Sequence, residues 1–200
     1  MQVLAREFKC LLNNAFRNEG FAGTTNFYKP IDNDWYANMS VAIGKWYGFY
    51  WVNCNIGIQW VPVEKLRATC IGSKYNKQFM SYGYGVKDAT GTKLDLTFSD
   101  SDGAAKAVEV ALQMWREKIC PYLCAMANER EAERKVKIAI GMMGGNPERY
   151  ATILKYTDQY DKFEAFLSEF GECLVTTDPE YYQQEWEPFV SRLKLAHPYG

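Results

Sequence analysis

Residues 35–60 read WYANMSVAIGKWYGFYWVNCNIGIQW. Over 35–43, larger apolar residues alternate with smaller or polar ones, and the same period of two returns over 50–60 after a turn bounded by glycines at 44–48. A period of two places alternate side chains on one face of a strand. The segment therefore predicts two half-buried strands that pair as a hairpin.

An amphipathic helix is predicted before the hairpin. From Leu4 to Ala15, apolar residues recur at steps of three and four, which places them on one stripe of a helix. Gly20 ends this helix, because glycine adopts the left-handed conformation that follows a last helical turn. Phe21 can then fold back onto the apolar stripe.

Three further strands are predicted at 27–29, 78–86 and 93–98. Connections between the strands are too short for crossover helices, so we expect an antiparallel sheet of about five strands. The residues between Val61 and Lys77 are expected to form a long connector.

The rest of the chain is predicted to be helical. Ser101 or Asp102 is expected to cap the start of a long helix by accepting its free amide hydrogens, and Pro121 stops or kinks this helix. Everything after about Asn128 is expected to form an all-helical tail, in which Gly171 closes one helix.

The last helix starts near Asp178, and Pro188 bends or restarts it. Because the strands and the helices are segregated along the chain, the predicted class is α+β. The expected organisation is an α+β domain over 1–127 and a helical extension over 128–200 that packs on it.

Composition indicates a folded protein of 200 residues with 48% hydrophobic and 24% charged residues, which excludes a disordered chain. The 23 basic and 24 acidic residues give a net charge of -1, so no bulk field attracts nucleic acid or an anionic membrane. Charge is unevenly distributed along the chain, however. Residues 1–127 include 14 basic and 11 acidic residues, and residues 128–200 include 9 basic and 13 acidic residues. The helical tail is therefore the acidic part.

The sequence favours a cytoplasmic location without a membrane partner. Charged residues interrupt the amino-terminal stretch where a secretory signal needs an apolar run, and no run of about 18 apolar residues occurs. The six cysteines are scattered, which is typical of reduced core residues.

No catalytic residue, metal ligand or cofactor is predicted. The one histidine, His197, lies near the carboxyl terminus and is expected to be exposed. The closest cysteine pair, Cys120 and Cys124, lacks a second pair or a histidine at zinc-ligand spacing, so core packing is favoured.

Nucleic-acid binding is an alternative with less support. Tyr82 and Tyr84 alternate with glycines, in a pattern that can stack bases, but few basic residues accompany them. The connector lysines Lys65, Lys74 and Lys77 would supply phosphate contacts in that case.

The first half of the chain resembles the bacterial domain-of-unknown-function 4304 family. The resemblance covers roughly residues 4–125 and rests on the helix that ends at Gly20-Phe21, the strands FYK (27–29) and NMSV (38–41), and FYWVNCNIGI (49–58). Trp115 and the helix end at Ile119-Cys120-Pro121 also fit. The family implies no catalytic residues, and it is similar to adaptor and immunity proteins that accompany bacterial toxins.

A segment of the tail combines carboxylates with large aromatic rings, a composition typical of interfaces with basic partners. Its predicted partner-binding residues are Glu180, Tyr181, Tyr182, Glu185, Trp186 and Glu187. With the resemblance, this segment favours a non-catalytic immunity protein that neutralises a cognate toxin by direct binding. The alternatives are a histidine-independent enzyme with a carboxylate and tyrosine cleft, and a nucleic-acid-binding subunit of a defence complex.

Overall fold

The computed structural model describes residues 2–92, 96–142 and 145–197. The chain forms two compact units: unit 1 comprises Met1–Gln59 and Lys77–Ala127, and unit 2 comprises Trp60–Asn76 and Asn128–Gly200. Unit 1 contains the strands, apart from Trp60 at the end of one of them, and the helical segments over 2–18, 86–90 and 101–126. Unit 2 contains a helix over 61–71 and the helices that follow residue 128. The predicted α+β class is confirmed.

Unit 1 begins with helix α1, Gln2–Asn18, whose buried stripe runs through Phe8 and Phe16. Gly20 has a φ of +85°, which is in the left-handed region that glycine adopts without strain. The chain reverses there, and the Phe21 ring packs edge-on against Phe16 at 5.1 Å between centroids. The predicted end of this helix is confirmed.

The described part of the chain contains a five-stranded sheet in the order β1-β2-β3-β4, with β5 also paired to β3. The strands are β1 (Asn26–Pro30), β2 (Trp35–Trp46), β3 (Phe49–Trp60), β4 (Tyr82–Tyr84) and β5 (Leu96–Phe98). β2 and β3 are hydrogen-bonded neighbours, which confirms the predicted hairpin. β1 pairs antiparallel with β2, and β4 and β5 pair antiparallel with β3.

Strand β4 is shorter than the predicted strand over 78–86. The buried side-chain amides of Asn38 and Gln59 donate hydrogen bonds to the backbone carbonyls of Lys77 and Phe79, at 2.9 and 2.6 Å. Side chains therefore satisfy these carbonyls in place of a neighbouring strand. The chain before β4 remains irregular for this reason.

Two further differences follow β4. Val86–Thr90 forms the short helix α3, where the prediction continued the strand through Val86. The predicted strand over 93–98 is present as β5, and residues 93–95 lie outside the described part of the chain.

Helix α4, Ser101–Met114, starts after an N-cap one residue earlier than expected. The carboxylate of Asp100 accepts a hydrogen bond of 2.7 Å from the Gly103 backbone N–H, where Ser101 or Asp102 was the predicted cap. An aspartate at this position satisfies an amide that the first helical turn leaves free.

Pro121 was predicted to stop or kink the long helix, and the helix does not stop there. A π-helical segment, Trp115–Ile119, lies directly before it, and the helix continues as α5, Cys120–Met126. The wider π turn shifts the hydrogen-bond pattern at the point where a proline ring would otherwise clash. A π-helical segment followed by a proline also occurs in unit 2, where Tyr182–Trp186 is π-helical and Pro188 lies in the helix that follows.

The predicted connector after β3 is wrong in part, because it contains helix α2, Val61–Ile71, which belongs to unit 2. The buried residues of α2 lie on several sides of the helix and do not form one stripe, so the sequence shows no helical period of apolar residues. They are Val61, Val63, Glu64, Ala68 and Cys70. Gly72 ends the helix with a φ of +72°.

The other helices of unit 2 follow residue 128, as predicted. They are α6 (Glu129–Ala139), α7 (Pro147–Tyr156), α8 (Tyr160–Thr177), α9 (Pro179–Tyr181) and α10 (Glu187–Leu195). Asp178 caps α9, since its carboxylate accepts a hydrogen bond from the Tyr181 N–H. The predicted start of the last helical stretch is confirmed.

Gly171 lies inside α8 and does not close the helix as predicted. A Cβ at this position would meet the Tyr182 ring at 3.5 Å and Trp186 Nε1 at 3.6 Å, which are ordinary contact distances. Glycine costs a helix interior about 1 kcal/mol relative to alanine. The missing side chain leaves a space beside the two rings.

A buried ion triad joins α2 to α7 within unit 2. The Glu64 carboxylate is 3% exposed and accepts a hydrogen bond of 3.0 Å from Arg67 Nε. The Arg149 guanidinium donates to the same carboxylate through Nε and Nη2. Because a buried carboxylate is costly without partners, both arginines are needed to hold Glu64 in place.

Replacing Arg149 by methionine is expected to lower the free energy of unfolding by about 2 kcal/mol. A hydrogen bond to a buried charged group contributes about 1.5–3 kcal/mol, and Arg67 remains to hold Glu64. The control is Arg134→Met, whose ion pair with Glu131 is more exposed and should contribute less than about 1 kcal/mol. Urea unfolding measures both variants, and equal losses would contradict the role given to the buried triad.

Candidate functional site

The six predicted partner-binding residues lie in unit 2, along α9, the π-helical segment and the first residue of α10. Their exposure differs by chemical type. The carboxylates of Glu180, Glu185 and Glu187 are exposed, the two tyrosines are half-buried, and Trp186 is buried. This short segment therefore contributes both to the core and to the charged surface.

Trp186 belongs to the core of unit 2. Its side chain is 2% exposed, and its ring contacts Phe166, Phe170 and Phe189 at centroid distances of 6.1, 4.9 and 5.8 Å. Such aromatic packing stabilises the contact between α8 and the last helical stretch. The Trp186 ring therefore packs in the core and exposes little area to a partner.

Tyr181 connects α9 to α7 through a side-chain hydrogen bond. Its phenol donates a hydrogen bond to the Glu148 carboxylate. Burial, together with this hydrogen bond and the charge of Glu148, raises the pKa of the Tyr181 phenol well above its usual range. The phenol remains protonated and bound to Glu148, so its role in the folded protein is structural.

Tyr182 is half-buried, and its ring lies beside Gly171. Glu180 accepts a hydrogen bond of 3.1 Å from the Gln184 side chain and stays exposed. Among the described residues, Glu185 and Glu187 have no ion pair or hydrogen bond to their carboxylates. Two of the predicted carboxylates are thus available to a partner.

These carboxylates belong to a longer acidic segment, residues 157–191, which contains nine acidic residues and one basic residue, Lys162. The acidic residues are Asp158, Asp161, Glu164, Glu169, Glu172, Asp178, Glu180, Glu185 and Glu187. Lys162 is itself bound at 3.2 Å to Glu133 of α6. The acidic segment therefore keeps a strong negative charge at its surface.

A groove of about 480 Å³ runs beside α8, between it and the stretch from Tyr182 to Lys194. It is open along one side, and its lining mixes apolar, hydroxyl and charged groups. The lining residues are Glu164, Leu167, Ser168, Gly171, Tyr182, Trp186, Glu187, Val190, Ser191 and Lys194. Three of the six predicted residues therefore contribute to one concave site.

The two ends of the groove differ chemically. At one end, Lys194 Nζ lies 2.7 Å from Glu164 Oε2. At the other end, Gly171 adjoins Tyr182 and the indole nitrogen of Trp186. Among the residues that the structure describes, none accepts a hydrogen bond from this indole N–H. The groove therefore offers a free donor beside a free carboxylate, that of Glu187.

The sequence did not predict the lining residues that α8 contributes to this groove, nor Lys194 at its other side. Glu164, Ser168 and Gly171 lie at steps of four and three, which places them on one face of α8. Gly171 was the available signal, because a glycine inside an otherwise periodic helix has a packing or functional reason.

The cysteines do not form a reactive or metal site among the described residues. All six are free, and only Cys54 and Cys70 are buried, where burial raises the pKa of both thiols. Cys124 is exposed and Cys120 is half-buried, so the predicted core packing of this pair is wrong. Within 2–92, 96–142 and 145–197, no cluster of three or more metal-ligating side chains occurs.

The tyrosines that suggested base stacking are core residues of unit 1. Tyr82 and Tyr84 are each 6% exposed, and the Tyr82 hydroxyl donates a hydrogen bond of 2.9 Å to the Met126 carbonyl. Their rings are not available to bases. Lys65, Lys74 and Lys77 are exposed, as is His197.

Unit 1 exposes aromatic rings at the turn between β2 and β3. Trp46 and Tyr47 are 61% and 86% exposed, and Trp51 is 42% exposed. Between residues 35 and 63 the only charged residue is Lys45. This turn offers apolar contact without the negative charge of unit 2.

None of the family models, curated proteins and solved structures compared with the chain matches it. The resemblance of residues 4–125 to the domain-of-unknown-function 4304 family therefore stays a prediction. No helix in the described ranges is both long enough and apolar enough to cross a membrane.

Tyr181→Phe is expected to reduce the loss of stability at alkaline pH. The folded-state pKa of Tyr181 lies above the unfolded value of 10.0, so above that pH the unfolded chain binds fewer protons than the folded one. The contribution of Tyr181 to the free energy of unfolding is therefore fully present below pH 10 and is lost as the pH rises further. Urea unfolding between about pH 8 and 11 measures this slope.

The phenylalanine variant should be less stable than the parent near neutral pH, because it leaves Glu148 without its hydrogen bond, and should show a shallower decline above pH 10. The exposed Tyr47→Phe serves as the matched control. An unchanged slope in Tyr181→Phe would contradict the role assigned to this contact.

Proposed function

We propose that the chain is a non-catalytic protein-binding module whose acidic segment, residues 157–191, binds a basic surface of a partner protein. The observation that carries this proposal is the excess of exposed carboxylates in that segment, nine acidic residues against Lys162 alone. Several of them lack a basic partner within the described chain. Such a surface attracts a basic protein and raises the rate of their association.

The same face also offers apolar contact. Val175 on α8 is 53% exposed, and the half-buried ring of Tyr182 borders the groove. Interfaces combine such apolar groups with a polar rim, and a few aromatic side chains contribute much of the binding energy. The negative charge of the acidic segment favours a basic partner, and Val175 and Tyr182 supply apolar area that is buried in the complex.

In its most specific form, the proposal is that the chain is an immunity protein that neutralises a cognate bacterial toxin in the cytoplasm by direct binding. The family resemblance of residues 4–125 supports the toxin as the partner. The acidic face supports the same choice if the toxin surface is basic, as that of an enzyme acting on nucleic acid would be.

The histidine-independent enzyme is less well supported. Two carboxylates, Glu164 and Glu187, do line one groove, as that alternative requires. However, the groove is open, and Glu164 is already paired with Lys194. A catalytic pair of carboxylates works best in a closed site that excludes water, which this open groove does not provide.

Co-expression with the product of the adjacent gene tests the proposal. We expect the two proteins to copurify and the chain to rescue growth of cells that express the partner. Reversing two exposed charges in Glu180→Lys/Glu185→Lys should weaken the complex at least about tenfold, because it replaces attraction by repulsion. Isothermal titration at low and high salt measures the affinity, which should fall as salt is added.

The matched control reverses two exposed carboxylates of unit 1, in Glu109→Lys/Glu117→Lys, and should bind within about twofold of the parent. Absence of both copurification and growth rescue would contradict the proposal. Equal weakening by the two double variants would also contradict it, since the acidic segment would then have no special role.

A further inference from the structure

We propose that the groove between α8 and the 182–194 stretch binds a short extended segment of the partner that carries a lysine or arginine side chain. This inference rests on the proposed function and names the part of the partner that the chain recognises. Three features of the groove support it: a free donor, a free carboxylate and a space kept open by a glycine.

The donor is the indole N–H of Trp186. The ring is 2% exposed, yet its nitrogen lies beside Gly171 at the groove and has no acceptor among the described residues. Among the described residues, the fully buried side-chain atoms that lack a partner do not include Trp186 Nε1, so this N–H reaches the open groove and can donate a hydrogen bond to an oxygen of a ligand. The carbonyl of an extended backbone is such an acceptor, and every residue of a peptide carries one.

The carboxylate is that of Glu187, which lines the groove and is free of ion pairs within the described chain. The opposite end of the groove already holds an ammonium group, because Lys194 Nζ lies 2.7 Å from Glu164 Oε2. The hydroxyls of Ser168 and Ser191 lie along the groove between these ends. A cationic side chain therefore meets a charged acceptor at the Glu187 end, which no lysine among the described residues occupies.

Gly171 keeps the groove open at a cost in stability. Its backbone does not require glycine, because it lies within α8 and is not among the residues with positive φ. Alanine would fit, since its Cβ would meet Tyr182 and Trp186 at 3.5 and 3.6 Å. Glycine is less favourable than alanine inside a helix, so the space it leaves has a use other than helix stability.

The size of the groove matches such a segment. A volume of about 480 Å³ lies within the range of small-ligand sites, roughly 300–1,000 Å³. It is far too small for a folded domain. The groove fits two or three residues, whose neighbours in the partner would extend onto the acidic surface around it.

Nuclear magnetic resonance of the full chain tests the inference with the blocked tripeptide acetyl-trilysine-amide as the probe. We expect the assigned indole N–H signal of Trp186 to shift to a plateau as the peptide is added. The blocked triglycine and triglutamate peptides should leave the signal in place, because neither supplies a cation to Glu187. Equal shifts with all three peptides would overturn the inference.

Two variants separate the groove from the surrounding charge. Glu187→Gln should weaken trilysine binding about tenfold, the effect of losing one charged hydrogen bond. Glu169→Gln also removes one negative charge, from a position on α8 outside the groove, and should weaken trilysine binding less than about twofold. Equal effects of the two variants would overturn the inference, since binding would then be spread over the acidic segment.

Gly171→Ala supplies a variant that closes part of the groove without loss of folding. We expect its unfolding temperature to rise by about 2 °C and its affinity for trilysine to fall severalfold. Unchanged affinity in this variant would overturn the inference. If groove variants bind the whole partner normally while Glu180→Lys/Glu185→Lys does not, the groove inference fails and the proposed function stands. If none of these variants alters binding of the partner, both fail.

Discussion

The burial of the Trp186 indole against Phe166, Phe170 and Phe189 determines the shape of the face of unit 2 that we propose binds a partner. This packing joins α8 to the last helical stretch through large apolar rings. Because Gly171 adds no side chain, the nitrogen edge of the indole remains at the groove. The same residue therefore packs in the core and leaves a hydrogen-bond donor at the groove.

The acidic charge of residues 157–191 constrains how this part of the chain folds. Like charges repel in the compact state, so apolar packing beneath the helices must offset their repulsion. Lys194 relieves it in part at Glu164, whereas Lys162 is bound to Glu133, which lies outside the segment. Glu187 receives no such relief within the described chain, and a basic partner would provide it.

Local periodicity allowed much of the fold to be predicted, including the hairpin over 35–60 and the first helix. Helix α2 was missed because its buried residues surround the helix and leave no period to detect. The continuation through Pro121 depends on a π-helical turn that has no known signature in residue spacing. The groove was missed because Gly171, its one signal in the sequence, was interpreted as a helix end, and the rings that face it are known only from the structure.

Mapping the bound partner onto the chain by amide chemical shifts tests the central claim most directly. If the acidic segment is the binding surface, shifts and broadening should concentrate in α8, α9 and α10, including Glu185 and Glu187, with the indole N–H of Trp186 among the affected signals. Changes confined to unit 1, for example to the exposed Trp46 and Tyr47 at the β2–β3 turn, would contradict it.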